Sequence, residues 1–511
     1  MEAAAVATPT TVSSFDDTTT TREGDVGVVF SLKVGEAVVN VNEANTLPKY
    51  VILQSNQNDR YLHHYPEDPV LSNALRYTGD YSFHLDTRFE VVPATTGNGL
   101  VHIRSLQNNK YWVKIAGPNK FVSAMADKPE EDQSNEFCTL FEPVFVDSIR
   151  LRHVSTGYYA RYLQYPGTPY DGYLYLSDTH NDDDDVCYFI DWEDVVVLPD
   201  LIRIKGDNGN HVKTYEDGHM DFLNKADNSS MFEYEVTPSR DGGIRLKSTP
   251  FGTYWTDMDD SEWVLLKQPD DSTVHAANTV FLPTILDGNR IILKCLGNGL
   301  FCNRYSRDSR LSGLATVNDY PDDWSSMEIE EPVISRKIYN VTYHLTDARL
   351  YNEVTDSLID DDSSNKSSDP VTSQLNLKKI VTNTTNWSTS NSLTVGVKMS
   401  ITFGVPFMES GSLEVSAEGT KSSDWGGTVE ESLEVGSVKT ISVPPMSRIK
   451  GTLMATRMSY DIPFSYTQHD VLKNGDKKTT VKQDGIFTGN NGYGYRYEIV
   501  PLPLSDDEGG D

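Results

Sequence analysis

VHIRSLQNNKYWV, residues 101–113, decides how the first two thirds of the chain are read. Val101 and Ile103 form an apolar-x-apolar strand signature, Arg104 follows, and Tyr111 stands eight residues beyond Ile103. Asn109, two residues before Tyr111, is of a type that tolerates φ > 0 in a tight hairpin turn. The same frame recurs at Val51/Leu53, Ile149/Leu151, Ile202/Ile204, Ile244/Leu246 and Ile291/Leu293. Arg152, Lys205, Lys247 and Lys294 take the basic place, and Gln54 stands in the first copy. The place of Tyr111 falls to Tyr61, Tyr159, Val212, Tyr254 and Phe301, preceded by Asp59, Gly157, Asn210, Gly252 and Gly299. Most copies close with a further β-like run, such as FEVV (89–92) or FEYEVT (232–237).

Two architectures accommodate six such units: two β-trefoils of three units each, or one six-bladed propeller. VVVLPDLIRI (195–204) places a Pro-Asp turn between the third and fourth units and favours three plus three. An all-β chain also fits the composition, with 27 Tyr, abundant Val, Thr and Ser, and no tracts of helical period.

The net charge of −31 leaves no basic stripe to displace phosphate counterions, which excludes a nucleic-acid binder. It also makes attraction to anionic lipid a poor first step towards a membrane. Asp182 to Asp185 lack the spaced ligands and turn glycine of a calcium loop. The four cysteines contain no CxxC pair and form neither a disulfide framework nor a metal site. No G-x-S-x-G, H-E-x-x-H, P-loop or Rossmann glycine string occurs, so neither an enzyme nor a cofactor is expected. The opening MEAAAVATPTTVSS lacks the basic and apolar regions of a signal peptide, and no apolar run of about 18 residues follows. The expectation is a protein that is cytoplasmic in the producing cell and reaches membranes only on its targets.

Sugar binding needs an aromatic face for the apolar side of a pyranose and planar amides or carboxylates for its hydroxyls. Tyr111-Trp112 and Tyr254-Trp255 follow the turn in the second unit of each half, with Asn109 beside the first pair. The tyrosines also fit the repeat's core position. The tryptophans stand where other units carry Leu62, Ala160, Lys213 and Cys302, and a place that accepts Lys reads as exposed. Asn109, Tyr111, Trp112, Tyr254 and Trp255 are therefore the candidate carbohydrate-binding residues.

With LQNNKYW (106–112), STGYYARY (155–162) and TPFGTYW (249–255), the paired blocks resemble the agglutinin domains of amaranthin-type plant lectins. The resemblance covers about residues 45–335. It implies tandem β-trefoils that bind galactose- and GalNAc-type glycans, with a site where the first domain of one subunit meets the second domain of another.

From about Ile338 the repeat stops and the chain becomes rich in Ser, Thr, Val and Asn. Within 392–421, Leu393, Val395, Val397, Met399, Ile401 and Phe403 alternate with small or polar residues, and Leu413, Val415 and Ala417 return. VPFMESG (405–411) joins the arms as an apolar tip, with Val405 and Phe407, ahead of a Gly turn. One greasy and one polar face suit both a half-buried hairpin in a soluble sandwich and a lipid-out, lumen-in barrel strand. A lone hairpin would leave edge N–H and C=O groups unpaired in lipid, so a pore requires a closed ring of identical chains.

This region resembles the aerolysin-type β-pore-forming module, and the whole order resembles a class of plant chimeric defence lectins. In the aerolysin-type family soluble protomers gather on membranes, commonly as heptamers, and refold the hairpin. The expected organisation is an N-terminal extension, at least partly disordered (1–45), two agglutinin β-trefoils (46–198 and 199–335), an elongated aerolysin-like β-sheet domain (336–503) and an acidic tail (504–511). The expected function is a lectin that oligomerises on target membranes and inserts an amphipathic hairpin. The alternative is a non-lytic lectin or interaction protein whose C-terminal module only oligomerises.

Overall fold

Four of the five basic residues that follow an apolar pair face a glutamate across the neighbouring strand, while Lys294 stands opposite Leu282. Arg104 is paired with Glu90, Arg152 with Glu142, Lys205 with Glu328 and Lys247 with Glu235. Each couple forms an ion pair, the kind of cross-strand contact that fixes sheet register. The computed structural model describes residues 46–504 except 83, 119, 147, 179–182, 240–241, 259, 269–275, 391–392, 394–396, 418 and 422–427. The expected extension 1–45 and most of the expected acidic tail lie outside the described residues. Those residues form β-strands and short 3-10 turns, with no α-helix among them. The chain is all-β.

The register closes a ring. Tyr50–Ser55, Phe89–Pro93, Val101–Ser105, Phe141–Phe145, Ile149–His153 and Cys187–Asp191 pair in that order, and the last pairs with the first. A second ring is built in the same way from Leu201–Gly206, Tyr234–Pro238, Ile244–Ser248, Phe281–Asp287, Arg290–Cys295 and Met327–Glu330. Between the first and last strand of each unit lies a two-stranded hairpin, for example Tyr111–Lys114 with Val122–Ala126. Strands of successive units pair with one another, so the six units group three and three rather than as six separate blades. Each ring encloses its own apolar core.

The turn residues carry positive φ at Asp59, Asn109, Gly157, Gly252 and Gly299. The fourth unit differs. There the positive φ falls on Gly209, and Lys205 pairs with His211, one residue earlier than the other copies require. Its turn is one residue shorter, so the counterpart of Trp112 is Val212, not Lys213.

Beyond the second ring come long strands: Val333–Tyr343, Arg349–Asn365, Val371–Ser388, Thr428–Val443, Ser447–Leu472 and Lys477–Leu502. The last two, each 26 residues, form a central antiparallel pair. Val333–Tyr343 and Arg349–Asn365 flank its first strand, and Val371–Ser388 joins its second at 486–490. A buried guanidinium anchors this module at the exit of the second ring. Arg336 donates to both oxygens of Asp470 (2.7 and 2.8 Å) and of Glu331 (2.9 and 3.2 Å). Removing it leaves two buried carboxylates uncompensated, so Arg336→Ala is expected to cost about 3–5 kcal/mol in chemical denaturation.

Candidate functional site

Residues 398–421 fold into one hairpin with a kink. Lys398–Phe403 pairs antiparallel with Gly419–Lys421, and Pro406–Glu409 with Ser412–Val415. Ser410 and Gly411, both at positive φ, make the two-residue turn whose twist suits a tight hairpin. The kink lies at Gly404, where a Cβ would approach the Ser416 carbonyl oxygen to 2.3 Å, so only glycine fits.

The hairpin lies against the module through an aromatic wall. Tyr460 spans the surface of Gly489, where a Cβ would meet its ring at 2.3 Å. Phe487, Trp387, Phe464 and Ile462 extend the wall, and Ile401, Phe403 and Met408 complete the cluster. Phe403 sits 4.8 Å from Trp387 between ring centroids. These three hairpin side chains are 2–3% exposed, and burying each contributes roughly 1.5–3 kcal/mol. Polar groups of the wall hold the hairpin backbone. Tyr343 donates to the Gly404 carbonyl (2.9 Å) and Tyr460 to that of Pro406 (3.2 Å). Asn491 accepts from the Met408 N–H (2.9 Å) and donates to its carbonyl (3.1 Å). The ladder to the rest of the sheet is short: residues 398–401 run parallel to residues 335–338.

The kink changes which residues are dry. Ile401 and Phe403 face the wall, but beyond Gly404 the inward positions are Pro406 and Met408. Phe407 therefore turns to the other face opposite Glu414, which corrects the expectation of one unbroken greasy row through Val405 and Phe407. Leu413 stands opposite Met408 and packs on the wall with Val405, while Val415 and Ala417 are exposed. Val397 and Met399 are half-buried. Val395 lies outside the described residues, and the strand of the first arm is Lys398–Phe403. The expected apolar tip is a paired strand instead, and the turn is Ser410-Gly411.

Both rings hold the segment that leads into the hairpin. Arg88 of the first ring stacks over Trp192 (3.3 Å to the ring centroid) and donates to the Ser390 hydroxyl at 3.3 Å. Burial pushes the Arg88 guanidinium down to about 9. The Ser390 N–H donates to Asp484 at 3.2 Å, and Leu393 inserts into the core of the second ring.

Four of the five sugar candidates are buried. Trp112 and Trp255 are fully buried, which overturns the reading of an exposed platform. Trp112 meets Phe89 and Phe141 edge-on at 5.1 and 5.9 Å, and Trp255 meets Tyr234 and Phe281 at 5.2 and 5.8 Å. With the shorter turn of the fourth unit taken into account, the six equivalent positions are Leu62, Trp112, Ala160, Val212, Trp255 and Cys302, all buried. Lys213 belongs to the next position along the strand. Tyr111 is buried as well. Asn109 is 7% exposed and works as a joint: its amide donates to the Asp347 carbonyl at 2.7 Å, and its oxygen accepts from Arg104. Arg349 reaches Glu90 of the same network at 3.3 Å. Only Tyr254 keeps partial exposure. The joint that Asn109 makes carried no sequence signal, because the carbonyls its amide reaches, of Asp347 and Asp461, lie 238 and 352 residues away.

Comparison with known proteins adds two findings. Residues 45–188 match the family model described as Agglutinin domain. Natterin-3 of Thalassophryne nattereri is 28% identical over 158 residues, 31% of this chain and 43% of that protein. Natterin-1 of the same organism is 25% identical over 164 residues, 32% of this chain and 46% of that protein. The chain thus spans less than half the length of these curated relatives. The solved lamprey immune protein is 15% identical, with a TM-score of 0.32 over 60% of this chain and 100% of that one, too slight a likeness to bear on function.

Proposed function

We propose that this protein binds glycans with two β-trefoil rings of the amaranthin-like agglutinin kind, gathers as a ring of identical copies on a target membrane, and unfurls residues 398–421 into the wall of an aerolysin-like β-barrel. The observation that carries this reading is the way the hairpin is stored. Ile401, Phe403 and Met408 are dry against Trp387, Phe487 and Tyr460, yet among the described residues the hairpin's ladder to the sheet covers only residues 335–338. Exchanging the aromatic wall for acyl chains keeps those side chains out of water, so the hydrophobic term is nearly balanced between the two states. What the inserted state must supply is backbone pairing, and neighbouring copies supply it. Contacts from both rings to Ser390 and Leu393 tie glycan-dependent movement to the root of the hairpin. The Agglutinin match over the first ring supports the recognition step, with galactose- or GalNAc-type glycans as the ligand class. No catalytic step is required.

Vesicles loaded with a self-quenched dye test the reading. Leakage is expected from vesicles that carry galactose- or GalNAc-terminated glycolipid and not from bare ones. Glycan-bearing vesicles that bind the protein and stay sealed would contradict it and leave a non-lytic lectin.

A further inference from the structure

We infer that the loop 319–326 of the second ring is a glycan-contact site for neutral sugars, with Trp324 and Tyr320 as its stacking surfaces. The inference rests on the lectin reading above and gives it a place, since the tandem tryptophans are core.

Tyr320 is 62% exposed and Trp324 55%, which puts both among the most exposed aromatic side chains of the described residues. On the order of 100 Å² of indole surface is left wet, a standing cost to a protein that has no use for it. The fold does not demand a tryptophan there. Five units place a 3-10 turn just before their closing strand: Leu85–Thr87, Asp183–Asp185, Ser230–Phe232, Ala277–Thr279 and Asp323–Ser325. The third residue of each turns inward and is buried: Thr87, Asp185, Phe232, Thr279 and Ser325. The middle residue is Asp86, Asp184, Met231, Asn278 or Trp324, half-buried in the first four and exposed at Trp324, so this place takes side chains of very different kinds.

The loop is also rigid. Asp322 accepts from the Asn303 amide (2.7 Å), the Asn318 amide (2.7 Å), the Trp324 N–H (3.0 Å) and the Ser325 N–H (3.1 Å). The Ser325 hydroxyl closes a capping box by accepting from the Asp322 N–H at 2.7 Å. A loop fixed in this way loses little freedom on binding. Beneath it, Asn303 is 1% exposed, and its side-chain amide oxygen has no partner among the described residues, an unused acceptor in the floor of the loop. Aromatic faces with carboxylates and amides close by are what a pyranose requires. Asp319, Asp322 and Asp323 add three negative charges within five residues, which repel phosphate, anionic lipid and sialic acid, and the exposed Asp319 and Asp323 carboxylates accept from neutral hydroxyls.

The test uses the full chain on immobilised galactose- and GalNAc-terminated glycans and their sialylated counterparts. Trp324→Ala is expected to weaken binding to neutral glycans about tenfold or more, with an unchanged unfolding midpoint, and Trp324→Phe to retain most of it. Wild-type protein should prefer the neutral set. Tight binding by Trp324→Ala and Tyr320→Ala would overturn the site but not the lectin reading. Loss of self-association in Trp324→Ala with glycan binding intact would make the loop a protein contact and overturn it too. A preference for sialylated glycans would overturn the ligand class. Failure of the wild type to bind any glycan on the panel would remove the lectin reading itself.

Discussion

A disulfide between Lys337→Cys and Ser400→Cys is expected to leave the protein able to bind glycolipid vesicles but unable to make them leak, at least about tenfold more slowly than wild type, with leakage restored by reductant. The two positions are register partners on the parallel seam between Val333–Tyr343 and the hairpin, and both are exposed. Neighbouring strands hold Cα atoms within the range a disulfide bridges. All four native cysteines are buried thiols, so mild oxidation addresses the new pair. The crosslink touches neither ring, which separates release from recognition. Unchanged leakage from protein with the bond fully formed would mean that the hairpin need not leave the sheet.

Trp112→Ala is expected to lower unfolding free energy by about 3–5 kcal/mol, the usual cost of an indole-sized void in a closed core. Trp255→Ala should cost a similar amount, since both indoles sit edge-on between two closing-strand aromatics. Neither indole N–H has a partner among the described residues, so volume rather than hydrogen bonding explains their presence. Denaturant titration of the full chain reads the effect. A variant as stable as wild type would return Trp112 to the surface and reopen the platform reading.

The repeat is legible in the sequence because ring closure imposes it. The apolar pair lines the core, the basic residue of four units meets a glutamate of the neighbouring strand, and the turn residue takes positive φ, so three constraints share one spacing. The fourth unit misleads because Asn210 occupies the expected turn position while Gly209, the residue best suited to positive φ, stands one place earlier. That single offset puts Lys213 in the tryptophan column and makes a core position look exposed. Alternation around position 400 is likewise legible, but the phase change at Gly404 is not. It arises from the close approach of Ser416, a contact that periodicity does not encode. Neither is the joint through Asn109, Asp347 and Arg349, which depends on how the module packs on the first ring. Trp324 gives no sequence signal because it stands in a loop outside the repeated frame. Comparing the 3-10 turns of the units reveals it, and those become comparable only once their inward and outward residues are known.

Environment-sensitive dyes on Val397→Cys and Leu413→Cys, read on glycolipid vesicles that contain an acyl-chain quencher, test membrane insertion most directly. Leu413 packs on the aromatic wall, and half-buried Val397 stands immediately before the first strand of the hairpin. Insertion predicts that both dyes become quenched by the lipid-borne group as rings assemble, while a dye on exposed Glu414→Cys does not. Full vesicle binding with both dyes untouched by the quencher would contradict it.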